Sequence, residues 1–378
     1  MTNSWPIARI AGFEIRLHFS WVPILAFLTL SVLTEISDLD EQAAGPAAWA
    51  TALIVSFGFL VSVLAHELAH AIVARRRGVA GGPITLFFFG GTASVELESS
   101  RPEDEVRIAA AGPIASLVLA LVLVGTAFAA DGVGNEPFAI IASAALILGV
   151  LNALVGLINL VPGFPLDGGR VLRAIVWGRT HDERTGTRAA ALAGRVAGWG
   201  MTLVGLGIAL IGDGLDGVML VIAGWFLGNA ARAMDQRLAI EDLLAGAQVE
   251  EALERDVPRV APQLTLDVFA DQLKAAGATA IPVVRGDRLL GLIGLIQLRR
   301  VGRRAWATTR AEDAMVAVDR LPSLRPEDAL WPAVEALRRS GLDGLPVIGD
   351  DGLLGVVTRR SVMAAIARHT HGAARTAA

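Results

Sequence analysis

The sequence predicts a polytopic α-helical membrane protein of about six transmembrane helices with a small re-entrant β-sheet, followed by a cytoplasmic α/β module built from two copies of one unit. Three observations carry this: long apolar stretches, an alternation of arginine-bearing and arginine-free connections, and an internal repeat after the composition changes near Gln236. Of 378 residues, 53% are hydrophobic and 19% charged, against about 25% charged in soluble domains. Mean hydropathy is +0.55. A net charge of −4 with no basic stripe argues against a nucleic-acid partner. The absence of cysteine excludes disulfides and thiolate metal ligands. The expected domains are a membrane-embedded one over residues 1–240, a first α/β copy over 241–310, and a second with the C-terminal tail over 311–378.

Apolar stretches lie at roughly 18–34, 48–74, 107–130, 138–161, 190–211 and 216–232, close to the ~20 residues a spanning helix needs. No Lys or Arg occurs between Leu17 and Ala74. Segment Met1 to Arg16 is mixed, and the run from Phe19 has no small-residue cleavage site behind it, so it is expected to stay in the protein. Connections 35–47, 131–137 and 212–217 carry acids and no base. The alternate ones carry Arg75 to Arg77, Arg101 and Arg107, Arg170 to Arg188, and Arg232 with Arg237. The positive-inside rule then places both termini in the cytoplasm, with the chain in the cell membrane.

Ile84 to Glu98 does not read as a helix. It is rich in β-branched and aromatic residues around Gly90-Gly91, which suggests a strand pair dipping toward the membrane. A surface hairpin in a cytoplasmic loop would have the same composition.

His66 and His70 are four apart in the second stretch, so a helix sets both imidazoles on one face, able to share an ion. Glu67, beside the first, could reach a water bound there, giving two zinc ligands and a general base. Three ionisable groups in an apolar span are costly and usually functional. A catalytic zinc needs a third protein ligand. His18 opens the first span, and His181, His369 and His371 lie in polar segments. Among carboxylates Asp167 stands out, in Asn159-Leu-Val-Pro-Gly-Phe-Pro-Leu-Asp-Gly-Gly-Arg170, where Pro and Gly break the helix at membrane depth. The N-cap of a helix running from Gly168 toward Trp177 would also be an Asp. The residues alone leave both readings open, and Asn159 could equally make a helix-to-helix hydrogen bond.

With HELAH in the second span, NLVPGFPLDGGR near the end of the fourth and FFFGGTAS between them, the chain resembles the site-two protease family of intramembrane zinc metalloproteases over most of residues 5–235. The stretch Ile10 to Ser20 also looks like the family's lead into the first span, and the motifs show no departure. The resemblance implies one zinc per chain held by His66, His70 and Asp167, with Glu67 as base. Asn159 would face the active site and help hold substrate or the oxyanion. The strands around Gly90 would offer an edge to an unwound substrate. It implies regulated intramembrane proteolysis of single-span membrane proteins in the lipid bilayer. With Arg75 to Arg77 ending the second span, the histidines should lie about 8–15 Å above the cytoplasmic boundary.

In the tail, Ile281 to Ile293 aligns without gaps to Leu345 to Val357, an offset of 64 residues that also relates Pro258 to Pro322, Pro262 to Pro326 and Gly277 to Gly341. The repeat resembles a tandem pair of cystathionine-β-synthase (CBS) domains, which implies a homodimerising module or an adenine-nucleotide site. Thr358 is kept, but Ser361 replaces the ribose-binding Asp, and the first copy has Gly294 and Gln297 at these two positions. Losing both acids argues against a nucleotide. A transporter or channel gated by the CBS pair is the rival reading. It accounts for spans and repeat but not for HExxH together with a distant DGG.

Overall fold

The computed structural model describes residues 4–39, 45–79, 82–87, 90–93, 99–212, 214–350 and 352–376. The chain divides into two compact units, Met1–Gln236 and Arg237–Ala378.

The first unit opens with a hairpin of β1 (Ser4–Ile10) and β2 (Phe13–His18), turning at Ala11-Gly12 with both φ positive, the turn geometry that matches strand twist. β2 runs parallel to β3 (Ile84–Phe87), which pairs antiparallel with β4 (Gly90–Ala93), so the sheet order is β1-β2-β3-β4. The strand pair expected around Gly90-Gly91 is therefore present. Phe88, Phe89 and residues 94–98 lie outside the described residues. The sequence reading does not anticipate β1 and β2, which it treats as a lead into the first span. Phe13 and Ile15, then Ile84 and Leu86, alternate onto one buried face with Trp21 and Ala71. Leu68 within HELAH, with Leu64 and Ile72 on either side of it, packs against that cluster.

Seven helices are described in this part of the chain: α1 (Trp21–Leu39), α2 (Pro46–Arg76), α3 (Pro102–Asp131), α4 (Glu136–Asn159), α5 (Asp167–Thr180), α6 (Glu183–Ile211) and α7 (Gly214–Leu243). Among the described residues five of them, α2, α3, α4, α6 and α7, are long and apolar enough to cross a membrane. The first expected span is α1, whose apolar part Trp21–Ile36 is shorter. α6 starts before its apolar run because Asp182 caps it, accepting from the Arg184 and Thr185 amides at 3.0 and 3.2 Å. Outward side chains such as Leu121, Phe128 and Leu210 are largely exposed, as helices facing hydrocarbon require. Inside, polar pairs tie helices together: Thr29 to Ser56 at 2.7 Å and Asn152 to Ser62 at 3.0 Å.

The second unit takes the last residues of α7 and continues through β5 (Leu253–Glu254), α8 (Leu266–Ala275), β6 (Ala280–Arg285), β7 (Arg288–Gly294), α9 (Leu295–Arg300), α10 (Ala311–Ala314), β8 (Val316–Ala317), α11 (Leu330–Ser340), β9 (Gly344–Gly349), β10 (Gly352–Thr358) and α12 (Arg359–Thr376). The repeat is explicit, with α8-β6-β7 recurring as α11-β9-β10. Two three-stranded sheets form, β6-β7-β8 and β5-β10-β9. The copies exchange strands. β5, near the start of the first copy, pairs with β10 of the second, and β8, near the start of the second, pairs with β7 of the first.

Candidate metal centre

α2 runs unbroken through HELAH, so the four-residue spacing puts both imidazoles on one helical face. His66 and His70 are buried, 6% and 4% exposed. Asp167 is the first residue of α5 and Leu166 is its N-cap. The capping alternative left open by the sequence is not what forms: the Asp167 carboxylate turns to the imidazoles. Its Oδ2 lies 3.1 Å from His66 Nε2 and 3.2 Å from His70 Nε2, and the two Nε2 atoms are 3.2 Å apart. Gly168 lets this first turn close onto the preceding loop, since a Cβ there would strike the carbonyls of Leu160 and Val161. A broken backbone thus delivers the carboxylate to a helix 97 residues away in sequence.

α3 supplies the outer partners. His70 Nδ1 lies 2.7 Å from the Ile108 carbonyl, and His66 Nδ1 lies 2.9 Å from Ser116 Oγ. A carbonyl only accepts, so His70 carries its proton on Nδ1 and, when neutral, turns a lone pair at Nε2 toward Asp167. α3 approaches this closely because residue 112 is glycine. A Cβ there would lie 2.6 Å from His66 Nε2 and closer still to His70 Nε2. Two turns earlier Glu105, fully buried, binds Arg170 and Arg173 of α5.

These donors fit a zinc ion. Bonds of about 2.0–2.2 Å to three corners of a tetrahedron set the ligand atoms about 3.3–3.6 Å apart, slightly wider than the observed triangle. The carboxylate and the His70 lone pair converge on one point, and His66 Nε2 adds a third lone pair when its ring proton sits on Nδ1 facing Ser116, an arrangement suited to a cation. Both ring Nδ1 atoms are held by second partners, as ligating histidines normally are. His66, His70 and Asp167 are also a set of three His or acidic residues close enough to hold a metal among the described residues.

Glu67 is half-buried beside His66 on the same helix. Asn159 ends α4 and donates to the Val155 carbonyl at 3.0 Å, a bond within its own helix. His18 pairs with Ser20, and His369 with Glu251. His181 ends α5 in the left-handed region. The side chain of His371 lies outside the described set. Sequence reasoning missed Glu105, Ile108, Gly112 and Ser116. The signal available was Gly112-Pro113 inside an apolar run with a hydroxyl one turn later.

A family model described as Peptidase family M50 matches residues 54–139 and 129–201, which hold HELAH and Asp167. Rip3 of Mycobacterium tuberculosis, named a zinc metalloprotease, is 34% identical over 366 residues, 96% of this chain and 92% of Rip3. This chain belongs to peptidase family M50. The zinc metalloprotease sll0528 of Synechocystis is 30% identical over 370 residues, 96% of this M50 peptidase and 95% of that protein. The solved site-2 protease from Methanocaldococcus jannaschii shares 27% identity, covering 61% of this chain and 95% of that one, with a TM-score of 0.41. A CBS domain model matches residues 312–368. The M50 peptidase is therefore a zinc metalloprotease of the membrane with a CBS tail, acting on membrane-protein substrates in the bilayer. The rival reading as a gated transporter falls with that membership.

Proposed function

We propose that His66, His70 and Asp167 hold the zinc and that Glu67 is the general base for peptide-bond hydrolysis. The donor triangle, with Glu67 next to it on α2, carries this reading. When bound, zinc supplies Lewis acidity and lowers the pKa of water toward ~7. Glu67 accepts a proton from the attacking water as its oxygen bonds to the scissile carbonyl carbon. Glu67 then gives that proton to the amide nitrogen as the C–N bond breaks. Asn159 uses one amide hydrogen within α4 and keeps a second to offer to substrate or the oxyanion.

The substrate in this reading is a single-span membrane protein whose helix must unwind locally. β4, an edge strand of its sheet, offers replacement backbone bonds to the opened segment. The arginine alternation supports cytoplasmic termini, a re-entrant sheet on that side, and cleavage nearer the cytoplasmic face of the cell membrane. In the tail, with CBS domains over 241–310 and 311–378, homodimerisation is favoured over nucleotide binding. The positions that would meet a nucleotide are bound internally: Thr358 Oγ1 donates to Glu254 at 2.7 Å, the Gly294 amide to Gln297 at 3.0 Å, and the Ile296 amide to Asp343 at 2.9 Å.

The deciding experiment compares membrane fragments released by wild type and by Glu67→Gln at matched expression. Fragments that vanish with Glu67→Gln, while zinc stays bound, support the assignment. Undiminished release refutes it.

A further inference from the structure

The Glu105 carboxylate is fully buried, 0% exposed, in the first turn of α3, a costly place for a charge. Its Oε1 accepts from Arg170 Nε at 2.9 Å and from Arg173 Nη2 at 2.8 Å, and its Oε2 from the Ser99 amide at 3.3 Å. Both arginines belong to α5, three and six residues beyond Asp167. Charge-assisted bonds of this length are stronger and more directional than neutral ones. They join α3 to α5 by two guanidinium arms that meet on one oxygen.

The position along α3 gives the clamp its meaning. Ile108, three residues after Glu105, receives the His70 ring, and Ser116 receives the His66 ring. The two histidines are thus referenced to α3 by direct bonds. Asp167 makes its contacts to the rings themselves, so its own helix must be registered against α3 by other means. We propose that Glu105 is the positioning residue for Asp167. By gripping Arg170 and Arg173 it sets the height of α5 along α3, so that Oδ2 arrives within 3.1–3.2 Å of both Nε2 atoms. α3 is then the common reference for all three donors. The polar cluster at the helix start, which the catalytic reading leaves unused, acquires a role in preorganisation. This rests on the assignment of Asp167 as a metal ligand.

The test measures zinc affinity by chelator competition on the purified full chain, alongside the visible spectrum of the cobalt-substituted protein. Glu105→Gln keeps the side chain's length and one acceptor but removes the charge. Arg170→Gln removes only the less buried arm and leaves the Arg173 pair in place, so it serves if Glu105→Gln does not fold. Asp167→Asn is the control on the underlying assignment. The expected result for Glu105→Gln is an affinity loss of about 10- to 100-fold, the range for outer partners of metal ligands. Arg170→Gln should show a smaller loss in the same direction. Both should shift the cobalt spectrum and quicken amide exchange over residues 163–170 in zinc-free protein. A clamp that merely stabilised the fold would lower the melting temperature and leave affinity and spectrum alone. Folded variants that bind zinc within twofold of wild type with an unshifted spectrum overturn the proposal. If Asp167→Asn itself retains wild-type affinity, the ligand assignment fails instead.

Discussion

Replacing Gly112 by Ala adds one methyl group where α3 passes the donor triangle. The new Cβ would lie 2.6 Å from His66 Nε2, and nearer to His70 Nε2, against an ordinary contact of 3.4–4 Å. α3 or the imidazoles must therefore give way by roughly 1 Å, several times the ±0.2 Å that metal–ligand distances tolerate. Overpacking of this kind costs about 1–3 kcal/mol. Taken wholly from metal binding, that weakens zinc about 5- to 150-fold. The helix itself should not suffer, because Ala is about 1 kcal/mol better than Gly in a helix interior. The expected outcome is that helix content is kept while chelator competition shows the affinity loss. Gly112→Ala protein that holds zinc within twofold of wild type and cleaves at the same rate would refute the close-approach argument.

Three further outcomes are expected. His66→Ala should lose its zinc outright on metal analysis, whereas Glu67→Gln should keep about one zinc per chain and lose cleavage by at least 10²-fold. Ser116→Ala, which removes the partner of His66 Nδ1, should weaken zinc by about 10-fold. In the tail, burial of Glu335 pushes its carboxyl up, but the Arg338 hydrogen bond and the charges of Arg237, Arg338 and Arg339 outweigh it, so its pKa lies below 4.5. A lowered folded pKa gives stability that is present above about pH 4.5 and lost as pH falls through the folded value. Glu335→Gln should therefore destabilise residues 237–378 by about 1 kcal/mol at neutral pH, since Arg338 and Arg339 are largely solvated. The same variant should flatten the acid dependence below pH 4.5, read by amide exchange of that segment.

The parts legible in the sequence are those with a fixed local period or an evident cost. His66 and His70 follow from the i,i+4 geometry of a helix, and the apolar context makes their presence expensive enough to notice. Asp167 is visible because Pro and Gly break the backbone around it, although only the fold separates ligation from capping. The outer partners are hidden for a physical reason. Ile108 acts through a carbonyl that every residue owns, and Gly112 acts by having no side chain. Glu105 sits among Glu103 and Asp104 and reads as an ordinary acidic first turn until burial singles it out. The β1–β2 hairpin escapes because its partner β3 lies beyond two helices in sequence. Strand exchange in the tail is equally invisible, since β5 and β8 are two residues long.

That exchange has a mechanical consequence. Each copy's sheet is finished by a strand from outside its own repeat, β10 by β5 and β7 by β8. The two halves are therefore linked like hooked fingers. A protease nick between them, around residue 302, would leave both pieces clasped through two strand pairings, β5 with β10 and β7 with β8. Truncation before β8 would instead strip one sheet of its edge and leave β5 without a mate. A push on one half is therefore passed to the other through both shared sheets.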